Sequence, residues 1–328
     1  MTSTASKPKP RIIAIEEHYM DVELAKHNAG MAGMRSSDIG RKLADMTNER
    51  IKEMDEAGID VQVLSQSGSG TQNMDPKVAV ELAPKVNDRL YETVRERPDR
   101  FQAFAMLPTP DPKAAAAELE RTVTKYGFKG AMIHGLTHGE FIDDQKYWPI
   151  FERAAALDVP IYLHPATPHP KVIETYYKDY VQKYPGIVTA PLGYTMETMT
   201  QGVRMVLSGV FDKYPNLKVI LGHMGEGIPF LLWRINHTLH ITGNPDFSFR
   251  DIFCEHFWIT TSGFFSDPAM LCSMMEMGAD RIIFSIDWPW AKNTEGREWL
   301  DAMSISAADK AKIFGGNAEK LLHMERNA

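Results

Sequence analysis

Residues 11–18 read Arg11-Ile12-Ile13-Ala14-Ile15-Glu16-Glu17-His18, an apolar run that stops abruptly in two acids and an imidazole. Isoleucine is stiff at χ1 and packs well on a pleated surface, so residues 11–15 are predicted to form a strand. No turn residue separates this run from its charged end, so the strand delivers Glu16 and His18 at its C-terminal tip. Side chains alternate along a strand, which puts those two on one face and Glu17 on the other.

The same grammar repeats outward from this point. A helical pattern over residues 45–57 is closed by Gly58 and followed by a strand at 61–64. A helix over 78–97 stops at Pro98, ahead of a strand at 101–106. Pro112 opens a helix that ends at Gly127, and a strand follows at 131–133. A helix over 147–157 leads through Pro160 to a strand at 161–164. The second half carries strands at 217–221, 257–261 and 282–285, with helices over 195–211, 228–239 and 267–277. Two more helices, 307–314 and 318–324, close the chain. Eight strand–helix units in series predict parallel pairing. Continuous apolar strands such as Ile282-Ile283-Phe284 suit a sheet covered on both faces. A doubly wound open sheet is the competing arrangement, and a count of eight favours an α/β (β/α)8 TIM barrel with additional C-terminal helices. The barrel is expected to occupy residues 11–328 as one catalytic domain behind a loose polar tail at 1–10. Residues 165–193 are long for a strand-to-helix connection and are expected to fold over the barrel mouth.

Composition narrows the chemistry. The net charge is −7, with no basic block and no interleaved arginine and aromatic stretch, so nucleic acid is not an expected partner. No run of about 18 apolar residues is present, so no membrane span is expected. The two cysteines, Cys254 and Cys272, form no Cys-x-x-Cys pair, and the polar start lacks the apolar core of a signal peptide. Both readings point to the cytoplasm. No glycine-rich dinucleotide fingerprint opens a strand–helix unit, so no organic cofactor is expected.

The strand ends carry the functional reading. The fifth strand ends in His164, the sixth in Gly222-His223-Met224-Gly225-Glu226, and the eighth leads into Asp287-Trp288-Pro289-Trp290. In this fold the C-terminal rim holds the active site. Glu16, His18, His164 and Asp287 therefore converge, and such a mixed nitrogen and oxygen set suits one Zn2+, Mn2+ or Fe2+ ion. A single strand-end histidine is more often a hydrogen-bonded core residue, but four donors on one rim argue for a metal. Gly222 and Gly225 read as a strand-to-helix turn, as a device that lets His223 and Glu226 approach metal and substrate, or as both. Trp288 and Trp290 read as mouth packing or as an aromatic wall against the substrate. His134 reads as a substrate contact, as a support behind the ligands, or as the recruiter of a second metal. Met224, Phe230 and Trp233 read as packing, and residues 270–277 as a core helix face.

These segments resemble the amidohydrolase superfamily, and within it the metal-dependent, non-oxidative decarboxylases of hydroxylated benzoates. That branch includes the γ-resorcylate, 2,3-dihydroxybenzoate, 5-carboxyvanillate and aminocarboxymuconate semialdehyde decarboxylases. The resemblance rests on Glu16-x-His18, His164-Pro165, the 222–226 segment and Asp287-Trp288-Pro289, with support from 211–215 and 316–318. It implies that Glu16, His18, His164 and Asp287 bind one metal and that His223 and Glu226 form a dyad near the substrate. It also implies that Arg234 lies near the substrate carboxylate. The lysine that bridges two metals in related hydrolases is missing from Met132-Ile133-His134, which favours one metal. The chain departs from the γ-resorcylate pattern at Trp290-Ala291-Lys292, which lacks a glutamate, and at His134, where that branch carries asparagine. The implied reaction is decarboxylation of an aromatic acid by a homodimer or homotetramer, with Asp287 protonating the ring. The competing functions are hydrolysis of a lactone or amide on the same barrel, and a metal-stabilised subunit of a larger assembly, with oxidative metal chemistry as a variant of the latter.

Overall fold

The computed structural model describes residues 10–27, 37–68 and 70–324. Strands β1 (Ile13–Tyr19), β2 (Val61–Gln66), β3 (Phe101–Ala103), β4 (Ala105–Met106) and β5 (Ala131–His134) run through the first half. Strands β6 (Ile161–His164), β7 (Val219–Leu221), β8 (Phe257–Thr260) and β9 (Ile282–Ile283) complete the set. The ladders run β1-β2-β3 and β4-β5-β6-β7-β8-β9, and every pairing is parallel. The run at 101–106 thus divides at Phe104, whose N–H donates to Leu64 O while Ala105 N–H donates to Gly130 O. One stave hands its bonding from one neighbour to the next there. The eighth stave is short as a ladder, yet the ring closes on β1 through a parallel bridge between Glu17 and Trp288. Asp287 N–H donates to Glu16 O at 3.0 Å and His18 N–H to Trp288 O at 2.8 Å. The architecture is a (β/α)8 barrel.

One main helix follows each stave: α1 (Glu49–Ala57), α2 (Pro76–Glu96), α3 (Pro112–Tyr126), α4 (Trp148–Ala156), α5 (Gly193–Leu207), α6 (Ile228–Thr242), α7 (Asp267–Met277) and α8 (Asn293–Ala302). Starts and stops follow local chemistry. Asp75 and Asp111 cap α2 and α3 ahead of a proline at the first helical position, and Gly58 and Gly127 close α1 and α3 in the left-handed region. Inside the barrel, Ile13, Ile15, Val61, Val63, Phe104, Met132, Tyr162, Ile220 and Ile283 interdigitate, while a larger apolar layer joins staves to helices.

Some expectations change. Residues 1–9 of the expected tail lie outside the described residues. The helix expected over 195–211 is α5, and a further helix at Phe249–His256 was not anticipated. Residues 165–193 fold into short turns of helix rather than open loop. They lie close on the loop after β5, where a Cβ on Gly135 would come within 2.5 Å of Ala166 Cβ. Phe230 and Trp233 are not packing residues: they are 80% and 64% exposed on α6. Apolar residues at both positions looked inward by composition, but the turn that starts α6 rotates them to solvent. No helix among the described residues is long and apolar enough to cross a membrane.

Candidate metal centre and active site

The first two donors owe their aim to an irregularity. Ile13 and Ile15 point into the barrel interior, so strict alternation would send Glu17 inward next. The register between β1 and β2 shifts between Ala14 and Glu17. One extra residue flips the phase, as a bulge does, and Glu16 and His18 face the barrel instead.

Glu16 is fully buried. Its Oε2 accepts from the hydroxyls of Tyr162 and Ser262 and from Thr260 Oγ1 at 3.1 Å. Its Oε1 is left without a hydrogen-bond partner, as are His18 Nε2 and Asp287 Oδ1. His164 Nε2 lies 3.2 Å from Glu16 Oε1, and His18 Nε2 lies 3.1 Å from Asp287 Oδ1. The other ring nitrogens are held from behind: His18 Nδ1 faces Ser65 Oγ at 3.2 Å and His164 Nδ1 faces Pro165 O at 2.8 Å. Such outer bonds fix the tautomer that leaves Nε2 free for a metal. One donor atom from each of Glu16, His18, His164 and Asp287 lies within 4.8 Å of the other three. Orphaned buried donors aimed at one point, two of them anionic, fit one divalent cation.

A second group closes the other side. From His223 to Gly227 five successive residues have positive φ: 47°, 56°, 71°, 54° and 80°. Three of these are not glycine, a strain of the kind that collects at functional sites. The turn brings His223 Nε2 to 3.5 Å from Glu16 Oε1 and 3.7 Å from Asp287 Oδ2, and sets His223 Nδ1 at 2.6 Å from Glu226 Oε1. Gly222 is required by close approach, since a Cβ there would sit 2.9 Å from Glu16 Oε2. Asp287 also has positive φ, at 71°. Burial disfavours a charged His223, but Glu226, Glu16 and Asp287 outweigh it and hold the imidazole well above its usual range. For Asp287, burial pulls upward, but the neighbouring His18 and His223 imidazoles outweigh it and hold the carboxyl below its usual range.

His134 is brought to the cluster: its Nδ1 lies 2.9 Å from His164 Nδ1 and its ring centroid 4.5 Å from that of His164. Burial first, then the neighbouring His164 and His18, hold its pKa well below the usual value, against a smaller pull from the Gln66 carbonyl and Glu16. Trp290 is exposed beside the mouth. Trp288 is placed differently from an aromatic wall. It is fully buried with its ring under the Arg50 guanidinium at 3.9 Å, and its Nε1 donates to Glu53 at 2.6 Å, both on α1. Arg234 is exposed on α6 and forms no hydrogen bond or ion pair among the described residues.

Several supports were not read from the sequence. Tyr162 sits inside an apolar run and passed for core. Glu17, fully buried, accepts from Ile286 N–H at 2.9 Å and Trp288 N–H at 3.2 Å, and so joins β1 to the segment that carries Asp287. Arg50, buried, donates to His18 O and stacks on Trp288. The available signal was an arginine on the inner face of an otherwise ordinary amphipathic helix.

Comparison with known proteins agrees with this geometry. The amidohydrolase family profile matches residues 18–324. A γ-resorcylate decarboxylase of Polaromonas sp. is 38% identical over 327 residues, covering 96% of this chain and 99% of the relative. A crystal structure of a dihydroxybenzoic acid decarboxylase from Polaromonas sp., with manganese and the inhibitor 2-nitroresorcinol bound, superposes with a TM-score of 0.90 at 38% identity, over 97% of this chain and 98% of that one. The 5-carboxyvanillate decarboxylase of Sphingomonas paucimobilis gives 0.89 at 32% identity, over 96% and 99%. With the strand-end donors, the dyad and this near-complete likeness together, the chain belongs to the amidohydrolase family.

Proposed function

We propose that this chain is a metal-dependent, non-oxidative decarboxylase of a hydroxylated aromatic acid. The observation that carries the reading is the facing pair. Asp287 and the His223–Glu226 dyad look onto the four-donor cluster, in a chain whose relatives are named for this reaction. Manganese in a relative supports a divalent ion here, with Zn2+ and Fe2+ as the other candidates.

Loss of CO2 requires the breaking carbon–carbon bond to leave its electron pair on the ring. Protonation of the ring carbon that bears the carboxylate accepts that pair, and aromaticity returns as CO2 departs. A bound divalent metal supplies charge neutralisation and a common anchor for the carboxylate and an ortho hydroxyl. Asp287 delivers the proton to the ring carbon. His223, oriented by Glu226, holds the phenolic oxygen and stands 3.7 Å from Asp287 Oδ2, close enough to be the source of that proton. The reaction as written needs no organic cofactor.

The test is CO2 release across a panel of hydroxybenzoates by Mn2+-loaded protein. Cleavage of lactones or amides with no CO2 release points instead to a hydrolase. No response to either panel points to a scaffold subunit.

The assembly is proposed to be a homodimer or homotetramer. Its support is the exposed apolar stripe Phe230, Trp233 and Ile241 along α6, of a kind that marks interaction surfaces. A cytoplasmic location rests on the unpaired state of Cys254 and Cys272.

A further inference from the structure

The last stave meets β1 through three successive backbone N–H groups, and the middle one belongs to Asp287. Asp287 N–H donates to Glu16 O at 3.0 Å. On either side of it, Ile286 N–H donates to Glu17 Oε1 at 2.9 Å and Trp288 N–H to Glu17 Oε2 at 3.2 Å. One carboxyl group thus spans the residue whose φ is 71°. The left-handed region is sparsely populated by residues other than glycine, and such a residue stays there only where its surroundings over-determine it. At Asp287 both adjoining N–H groups are fixed to a single side chain.

The span is itself held in place. Glu17 is fully buried, and its carboxyl bonds none of the four donor side chains of the cluster. Gln62 Nε2 stands 3.3 Å from its Oε2, Gln62 Oε1 accepts from Arg50 at 3.0 Å, and the Arg50 guanidinium lies 3.9 Å over the Trp288 ring. Three donors, two of them backbone, therefore face this carboxyl. Glutamate meets the two N–H groups with one oxygen each. Glutamine has the same shape but a single oxygen, and its NH2 group cannot accept from a backbone N–H. Asp287 in turn has two contacts to keep: Oδ1 is 3.1 Å from His18 Nε2, and Oδ2 is 3.7 Å from His223 Nε2. Any turn of the 286–288 backbone shifts both at once.

We infer that Glu17 is a positioning residue for Asp287: by bridging the N–H groups on either side, its carboxyl aims that side chain at metal and substrate from behind β1. Glu17 touches neither the substrate nor the reacting atoms, and acts only through the backbone that carries Asp287. The part of the inference that concerns proton delivery rests on the decarboxylase reading, whereas the part that concerns the metal rests on the donor cluster alone. A support of this kind contributes most when the ligand it aims also does chemistry, because small misplacements then cost both binding and rate.

The experiment is a double-mutant cycle on the full chain: wild type, Glu17→Gln, Asp287→Ala and the two together. The Kd for Mn2+ is read in each from the resonance of the free ion, and kcat and KM at saturating Mn2+ are read for a hydroxybenzoate that wild type turns over. Glu17→Gln is expected to weaken Mn2+ binding by about 10- to 100-fold and to lower kcat by a similar factor, with KM little changed. In the Asp287→Ala background the same substitution is expected to change the Mn2+ Kd by no more than about twofold, because the side chain it aims is gone. Equal losses in both backgrounds mean that Glu17 supports the barrel or its neighbours rather than Asp287, and overturn the inference. So do wild-type Mn2+ affinity and kcat in folded Glu17→Gln. Should that variant fail to fold, the exchanged pair Glu17→Gln, Gln62→Glu takes its place in the cycle, since it keeps the charge and volume beside Arg50. It is expected to show the same losses, and wild-type behaviour in it overturns the two-oxygen bridge in favour of charge alone. If wild type releases CO2 from no hydroxybenzoate, the decarboxylase reading fails with the proton half of this inference, and the Mn2+ cycle still decides whether Glu17 aims Asp287.

Discussion

Two flanks meet at the barrel mouth, defined by how they are anchored and not by position around the ring: Glu16, His18 and His164 make one, Asp287 and His223 the other. The first three lie within strand ladders, and their far atoms are tied to Tyr162, Thr260, Ser262, Ser65 and Pro165. The other two follow the short strands β7 and β9, in positive-φ backbone, and remain partly open to solvent. A group that must hold a cation is best locked by its neighbours. A group that must pass a proton needs access to substrate and solvent, and here a strained turn rather than a ladder supplies the aim. The difference sets pure binding against groups that serve the chemistry, with Asp287 doing both, and each flank can be challenged separately.

The largest effect is expected on the locked flank. A His18→Ala, His164→Ala double variant should fall from about one divalent metal per chain to none, by elemental analysis of the dialysed protein. Full occupancy in that variant removes these histidines from the metal site.

Next comes Asp287→Asn on the open flank. It keeps an oxygen donor but cannot transfer a proton, so some metal and binding of an ortho-hydroxybenzoate should persist. CO2 release should fall by about 10²–10⁴-fold, and solvent deuterium should no longer enter the product ring carbon that carried the carboxylate. Brisk decarboxylation by this variant moves the proton source elsewhere, His223 first.

A smaller loss, about 10- to 100-fold in kcat with metal content held, is expected for Glu226→Gln, because the orienting carboxylate behind His223 goes while the four donors stay. If metal is lost instead, the two flanks are not separable.

The smallest effect lies in the scaffold. Burial pushes the Glu197 carboxyl on α5 up to about 7, and its Oε1 has no hydrogen-bond partner. A carboxyl with a raised folded-state pKa contributes its full stability below the unfolded value and loses it as pH climbs from about 4.5 to 7. Wild type should therefore lose up to about 3 kcal/mol across that window relative to Glu197→Gln. Parallel melting curves at pH 5 and pH 7.5 would remove this assignment.

Much of the site was legible because each donor ends an apolar run, where the fold needs no charge. The same logic found Asp287 and the 222–226 segment. It could not find Tyr162, whose hydroxyl is invisible in an Ile-Tyr-Leu run, nor the side of the chain on which Trp288 lies. Arg234 was named on resemblance alone, since it sits inside a helix and ends no apolar run. The eight staves were countable from alternation alone. The division at Phe104 was not, since it reflects how two neighbours share one strand.

The shifted register in β1 has a consequence for how such a site is inherited. Glu16 and Glu17 are the same residue type side by side, and only the extra residue before them decides which one meets the cation and which one ties the strand to Ile286 and Trp288. The centre is thus specified partly by pairing: an even ladder with every residue kept would set Glu17 rather than Glu16 opposite an inward-facing partner and carry His18 away from its companions, whereas loss of Ile15 alone would close the bulge and leave Glu16 opposite Val63. Register in this strand is therefore what a lineage keeping this chemistry must hold, even where the letters themselves look interchangeable.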